Sequence, residues 1–158
     1  MLKMAMQSYG TNVVLDLVNV RGGFPTRNWQ SGVFEFAEEI SGQALTDKVL
    51  TREVACFACP IACGRGTEIK KGKYAGHKGE GPEYETVGTF GGMCYVSDME
   101  AITMAGYLCN EYGLDTISAG STERLGQRDR QADCGKINRT GSGRYYSGYM
   151  GLSEEVAF

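Results

Sequence analysis

Three cysteines fall within eight positions, at Cys56, Cys59 and Cys63, in the spacing C-x2-C-x3-C with Pro60 directly after the second. Thiols this close cannot all pair with one another as disulfides, because one is always left over. A compact loop can instead bring three soft sulfurs to one centre. Three thiolates with short spacers suit an iron–sulfur cluster or a zinc site. A second group that could do chemistry is Gly81-Pro82-Glu83-Tyr84-Glu85-Thr86, which carries two carboxylates around a tyrosine. Proline suits a first helical position and early acids favour the positive end of a helix dipole. On the residues alone, Glu83 and Glu85 are helix-start acids or proton-handling groups. His77, the sole histidine, has no second histidine or carboxylate at ligand spacing and reads as exposed.

The elements that must position these groups read mainly as α-helix. Val13, Val14, Leu17 and Val18 recur at helical spacing between Thr11 and Val20. Ser31 to Ile40 gives a second helix, with Val33, Phe34, Phe36, Ala37 and Ile40 on one side and Ser41-Gly42 as its stop. A short helical piece from Thr46 to Glu53 would feed the cysteine loop. The glycine- and lysine-rich stretch after it, residues 66–79, reads as a small hairpin or a solvated loop. The clearest helix begins at Ser97-Asp98-Met99-Glu100, a capping box with Ser97 at the cap. Gly113 would close that helix in the left-handed conformation, and Asp115 or Thr116 would cap the next. Such a helix–turn–helix projects backbone N–H groups and a carboxylate toward anything lodged against it.

The chain has 158 residues, 42% hydrophobic and 22% charged, enough for one folded domain. A net charge of −3 gives no bias toward nucleic acid, and no apolar run reaches membrane-spanning length. Six cysteines, half of them clustered, fit metal ligation in a reducing cytoplasm better than a secreted disulfide framework. From Glu123 periodicity is lost and arginine accumulates. The expected organisation is therefore a helical domain over 1–122 and a divergent tail, non-native or disordered, over 123–158.

Five segments occur in order: Tyr9-Gly10-Thr11, Phe24-Pro25-Thr26-Arg27-Asn28, the cysteine loop through Gly64-Arg65, Gly81 to Thr86, and Tyr112-Gly113-Leu114-Asp115-Thr116-Ile117-Ser118. Together they resemble the middle part of the tungsten-containing aldehyde ferredoxin oxidoreductases. The resemblance implies that Cys56, Cys59 and Cys63 ligate a [4Fe–4S] cluster. It implies that Asn110, Gly113, Leu114 and Asp115 belong to a pterin-binding turn for a tungsten or molybdenum bis-pterin. Asn110 departs from the family's aspartate there. Glu85 best matches a glutamate near the metal, with Glu83 the alternative. The implied reaction is oxidation of an aldehyde to a carboxylic acid with electrons passed to ferredoxin, in a parent that is a possible homodimer. Cys134, the sole cysteine after Cys109, has surroundings unlike the family's second pterin segment, so the fourth ligand is not carried onto it. The chain reads as a truncated or frame-shifted piece of such an enzyme. The competing reading is a stand-alone iron–sulfur carrier or zinc module, with Cys94, Cys109 or Cys134 as fourth ligand.

Overall fold

A computed structural model describes residues 2–124. The expectations for the tail beyond Arg124, including those for Cys134, lie outside the described residues. Helix α1 spans Leu2–Tyr9 and passes through a 3-10 turn, Gly10–Val14, into α2, Leu15–Val20. A second 3-10 turn at Ala37–Ile40 leads into α3, Gly42–Lys48. Three strands come next: β1 at Leu50–Val54, β2 at Gly64–Glu68 and β3 at Lys78–Glu80. A short turn of helix, α4 at Tyr84–Thr86, continues as a π-helix over Val87–Met93. Helix α5 spans Met99–Tyr112, and residues 116–124 are helical again.

Helix α5 is the axis of the core. Every residue from Met99 to Cys109 except Glu100 is buried. A helix apolar on all sides needs neighbours on all sides. Here α3, β3 and the π-helix supply them. Phe24, Phe34, Ile40, Leu45, Ile69 and Phe90 fill the space between, each at most 2% exposed. The cap of α5 is Asp98 and not Ser97. Asp98 is extended, and its carboxylate accepts from the backbone N–H of Glu100 (3.0 Å) and Ala101 (3.3 Å).

The chain is helical as expected, but a three-stranded antiparallel sheet in the order β1-β2-β3 accompanies the helices. The hairpin expected over 66–79 is present as β2–β3, with Thr67 opposite Gly79. The strand before it is not apparent from the sequence. Leu50–Val54 is exposed on its middle three residues and shows no clean alternation, so only its pairing with β2 identifies it. The helix expected over Thr46 to Glu53 therefore ends early, at Lys48. Nor is Ser31 to Ile40 a helix. Ser31 and Thr26 exchange backbone hydrogen bonds (3.2 Å each), and the Phe34 N–H donates to Asn19 Oδ1 (2.7 Å). These partners from outside the segment outcompete a local helical ladder. Ser41 closes the 3-10 turn, as expected, its hydroxyl donating to Glu38 O (3.0 Å), and also starts the next helix by accepting from the Ala44 N–H (3.2 Å).

Gly91 and Gly92 of the π-helix are there for packing. A side chain on Gly92 would stand 2.5 Å from Cε1 of the fully buried Phe24. Gly92→Ala is expected to cost about 1–3 kcal/mol through overpacking. A urea melt reads this directly, and an unchanged midpoint would show that Phe24 can move aside.

Candidate functional site

The cysteine loop, residues 55–63, is the connection between β1 and β2, closed by the pair Val54 and Gly64. Its backbone is bent at two alanines, Ala58 (φ 56°) and Ala62 (φ 57°), both left-handed. Non-glycine residues enter that region at a cost, which persists only where surrounding structure imposes it. The Cys59 N–H donates to Cys56 O (3.0 Å), so the first two cysteines share one turn. All three thiols are free, Cys56 exposed and Cys59 and Cys63 half-buried. Phe57, between the first two, is fully exposed.

Behind the loop lies Arg65, 1% exposed. Its Nε donates to Cys63 O (3.1 Å) and Gly64 O (3.0 Å). One terminal nitrogen donates to Ser8 O (2.9 Å), and the other to Gln7 O (2.6 Å) and Ala62 O (2.9 Å). The end of α1 and the end of the cysteine loop are thus held by one guanidinium. Gly10, at φ 64°, permits the approach, since a Cβ there would stand 2.9 Å from Cys63 O.

On the other side of Arg65 the chain opens into a cavity of about 430 Å³. The Gly81 N–H donates to Arg65 O (2.6 Å), which joins the two regions. Glu83, Glu85, Thr86, Gly106, Asn110 and Thr116 are among the lining residues. The two sequence-predicted glutamates and the first residue of the predicted pterin turn therefore share one cavity. Its acidic edge is pinned from the N-terminal segment. Thr11 Oγ1 donates to the Glu83 carboxylate and accepts from the Tyr84 N–H (2.8 Å), while Asn12 Nδ2 donates to Pro82 O (2.8 Å). Glu83 is half-buried and Glu85 exposed. Burial first, and then the Glu85 charge, push the Tyr84 phenol above its usual range, so it stays a neutral donor near neutrality. The opposite wall is tied on by Thr86 Oγ1 and Thr116 Oγ1, 2.8 Å apart.

The rest of the predicted pterin turn lies beside this cavity, outside its lining. Gly113 is left-handed at φ 68°, as expected. The Leu114 N–H returns to Cys109 O (2.7 Å) and the Gly113 N–H to Asn110 O (3.3 Å), a Schellman closure. Asp115 then caps the next helix by accepting from the Ser118 N–H (2.7 Å). Hydrogen bonds from Ser118, side chain and then backbone, hold the Asp115 carboxyl below its usual value.

The sequence alone assigns no site role to Arg65, and marks Asn12 and Thr116 only as candidate helix caps. Arg65 and Thr11 stand inside the recognised motifs, but only their partners 57 to 73 residues away reveal what they hold. Two candidates for a fourth ligand are committed elsewhere. Cys94 Sγ donates to Gly120 O (3.4 Å), and Cys109 is wholly buried in the core. Among the described residues no three His, Cys, Asp or Glu side chains converge on a single-ion site.

Residues 1–126 match the family model described as aldehyde ferredoxin oxidoreductase, domains 2 and 3. This chain belongs to the aldehyde ferredoxin oxidoreductase family. Similar relatives include the tungsten-containing aldehyde ferredoxin oxidoreductases of Thermococcus kodakarensis, 46% identical over 117 residues, and of Pyrococcus abyssi, 44% identical over 117 residues. Each of these alignments covers 74% of this chain and 19% of the relative. A more distant one, the WOR-like subunit of an aliphatic sulfonate oxidoreductase from Pyrococcus furiosus, is 30% identical over 102 residues, 64% of this chain and 16% of the relative. The chain thus spans about a fifth of the length of the curated family members it matches. Among the described residues no helix is long and apolar enough to cross a membrane.

Burial, then the Glu123 charge, push the Cys94 thiol from 9.0 up to about 12. Above the unfolded value the unfolded thiol has lost its proton while folded Cys94 keeps it. Stability is therefore full below pH 9 and falls as pH rises from there toward about 12. Urea melts across that range should show the loss, and Cys94→Ala should flatten it. An equal slope in the variant would trace the loss to other groups.

Proposed function

We propose that this chain carries the cluster loop and part of the substrate-side wall of a tungsten- or molybdenum-pterin oxidoreductase. That enzyme oxidises aldehydes to carboxylic acids and passes electrons to ferredoxin. The observation that carries the reading is the cavity shared by Glu83, Glu85 and Asn110, joined through Gly81 to the residue behind the cysteine loop. Family membership and the names of the relatives support the tungsten chemistry.

Cys56, Cys59 and Cys63 would hold the [4Fe–4S] cluster. Their donor chemistry fits, because three unpaired soft thiols sit on one loop. Each thiolate of a cluster takes its own iron, so the sulfurs need not converge on one point. Asn110, Gly113, Leu114 and Asp115 would form the pterin-side turn. When bound, the pterin-held metal supplies a two-electron acceptor and the cluster a one-electron relay toward ferredoxin.

Aldehyde plus water gives a carboxylic acid, two protons and two electrons. Glu85 is the group to take the proton from water as its oxygen adds to the carbonyl carbon. It lines the cavity and is exposed, whereas the Glu83 carboxylate is held by Thr11. Thr11 and Asn12 keep the segment in register with the cavity.

Two measurements test this. Reconstitution of the 158-residue chain with iron and sulfide under argon should give a brown protein with up to about four irons per chain, lost in Cys59→Ser. A colourless protein with one zinc would overturn the cluster assignment. In the assembled tungsten enzyme, Glu85→Gln should lower kcat for aldehyde oxidation by about 10²–10⁴-fold, with viologen dye as electron acceptor. A comparable loss in Glu83→Gln but not in Glu85→Gln would transfer the role to Glu83.

A further inference from the structure

Arg65 poses an electrostatic problem. A guanidinium that is 1% exposed has lost its hydration, and burying a charge costs several kcal/mol unless it is compensated. Its partners are the carbonyls of Gln7, Ser8, Ala62, Cys63 and Gly64. Among the described residues no carboxylate forms an ion pair with it; Glu68, three strand positions further on, pairs with Lys78 instead (3.3 Å). Carbonyl dipoles, including the negative C-terminal end of α1, offset part of the cost. They do not neutralise a full charge.

We propose that the missing anion is the thiolate-ligated cluster, and that Arg65 is a positioning residue for it. The inference rests on the reading of Cys56, Cys59 and Cys63 as cluster ligands. Two effects arise from the same side chain. The fork to Ala62 O, Cys63 O and Gly64 O fixes the backbone that carries the third ligand. The uncompensated positive charge behind that ligand favours the more negative, reduced state and raises the potential, since net charge nearby and hydrogen bonding set cluster potentials. Arginine suits both tasks through its planar, rigid fork, whereas lysine supplies a point charge alone.

The comparison of Arg65→Lys with Arg65→Gln separates the two effects, in the full chain reconstituted with iron and sulfide. The readouts are iron release to a chelator and the midpoint potential from a redox titration followed by electron paramagnetic resonance. Both variants should release iron at least tenfold faster than the parent. Arg65→Gln should shift the reduction equilibrium about tenfold toward the oxidised cluster, or about 59 mV lower for a one-electron couple. Arg65→Lys should stay within twofold of the parent in that equilibrium. Iron release unchanged in Arg65→Lys would overturn the clamp. An equal fall in potential in both variants, or none in Arg65→Gln, would overturn the charge effect. If Arg65→Gln does not fold, Arg65→Lys alone decides: a tenfold shift in its equilibrium rejects the role of charge. A parent chain that takes up no cluster sinks the assignment of the cysteines itself, a result distinct from either of these.

Discussion

A buried guanidinium surrounded by carbonyl oxygens is the joint on which this structure turns. Arg65 reaches α1 through Gln7 and Ser8, the cysteine loop through Ala62 and Cys63, and the cavity through its own carbonyl, which accepts from Gly81. Hydrogen bonds to a charged group are worth about 1.5–3 kcal/mol each, more than neutral ones. Removing the donor would also leave several carbonyls unsatisfied in a dry region. The helix end, the cysteine loop and the segment carrying the glutamates are therefore mechanically one unit, although they come from three stretches of sequence.

A second set of ties runs alongside the first. Thr11 and Asn12 grip the Pro82-Glu83-Tyr84 backbone and the Glu83 side chain, and Thr86 meets Thr116. Gly10 lies between the two sets and must be glycine, because its left-handed backbone faces Cys63 O and the Arg65 side chain. The short motifs along the chain are thus not independent signatures. Gly10 leaves room for Cys63 O and the Arg65 side chain, Thr11 holds Glu83, and Pro82 is held by Asn12.

Local features are legible in the sequence. Gly113 closes α5 and Asp115 opens the next helix through contacts within a few residues, and residue type alone reveals both. The cysteine spacing is equally plain. Features that depend on distant partners are not legible. Ser41 reads as a stop and is one, but its second role as the cap of α3 is decided by the chain beyond it. Ser31 to Phe34 carries helical periodicity, yet Thr26 and Asn19 take its backbone groups. Strand β1 lacks alternation because its middle residues face solvent. Helix α1 carries Leu2, Ala5, Met6 and Tyr9 at helical spacing yet buries none of its residues fully, and its tie to Arg65 is made by backbone carbonyls that residue type does not mark. The family resemblance goes further than periodicity because it encodes which distant segments belong together.

The bond from Thr11 to Glu83 spans 72 positions, and this has a consequence for synthesis on the ribosome. At about 5–20 residues per second, some 4–14 s separate the emergence of the two partners. Until then the Thr11 hydroxyl lacks its carboxylate partner, and Arg65, made earlier, ties the end of α1 to the cysteine loop. The cavity closes later still, when Thr116 arrives to meet Thr86. The cysteine loop and its clamp to α1 are therefore complete before either wall of the cavity has been made.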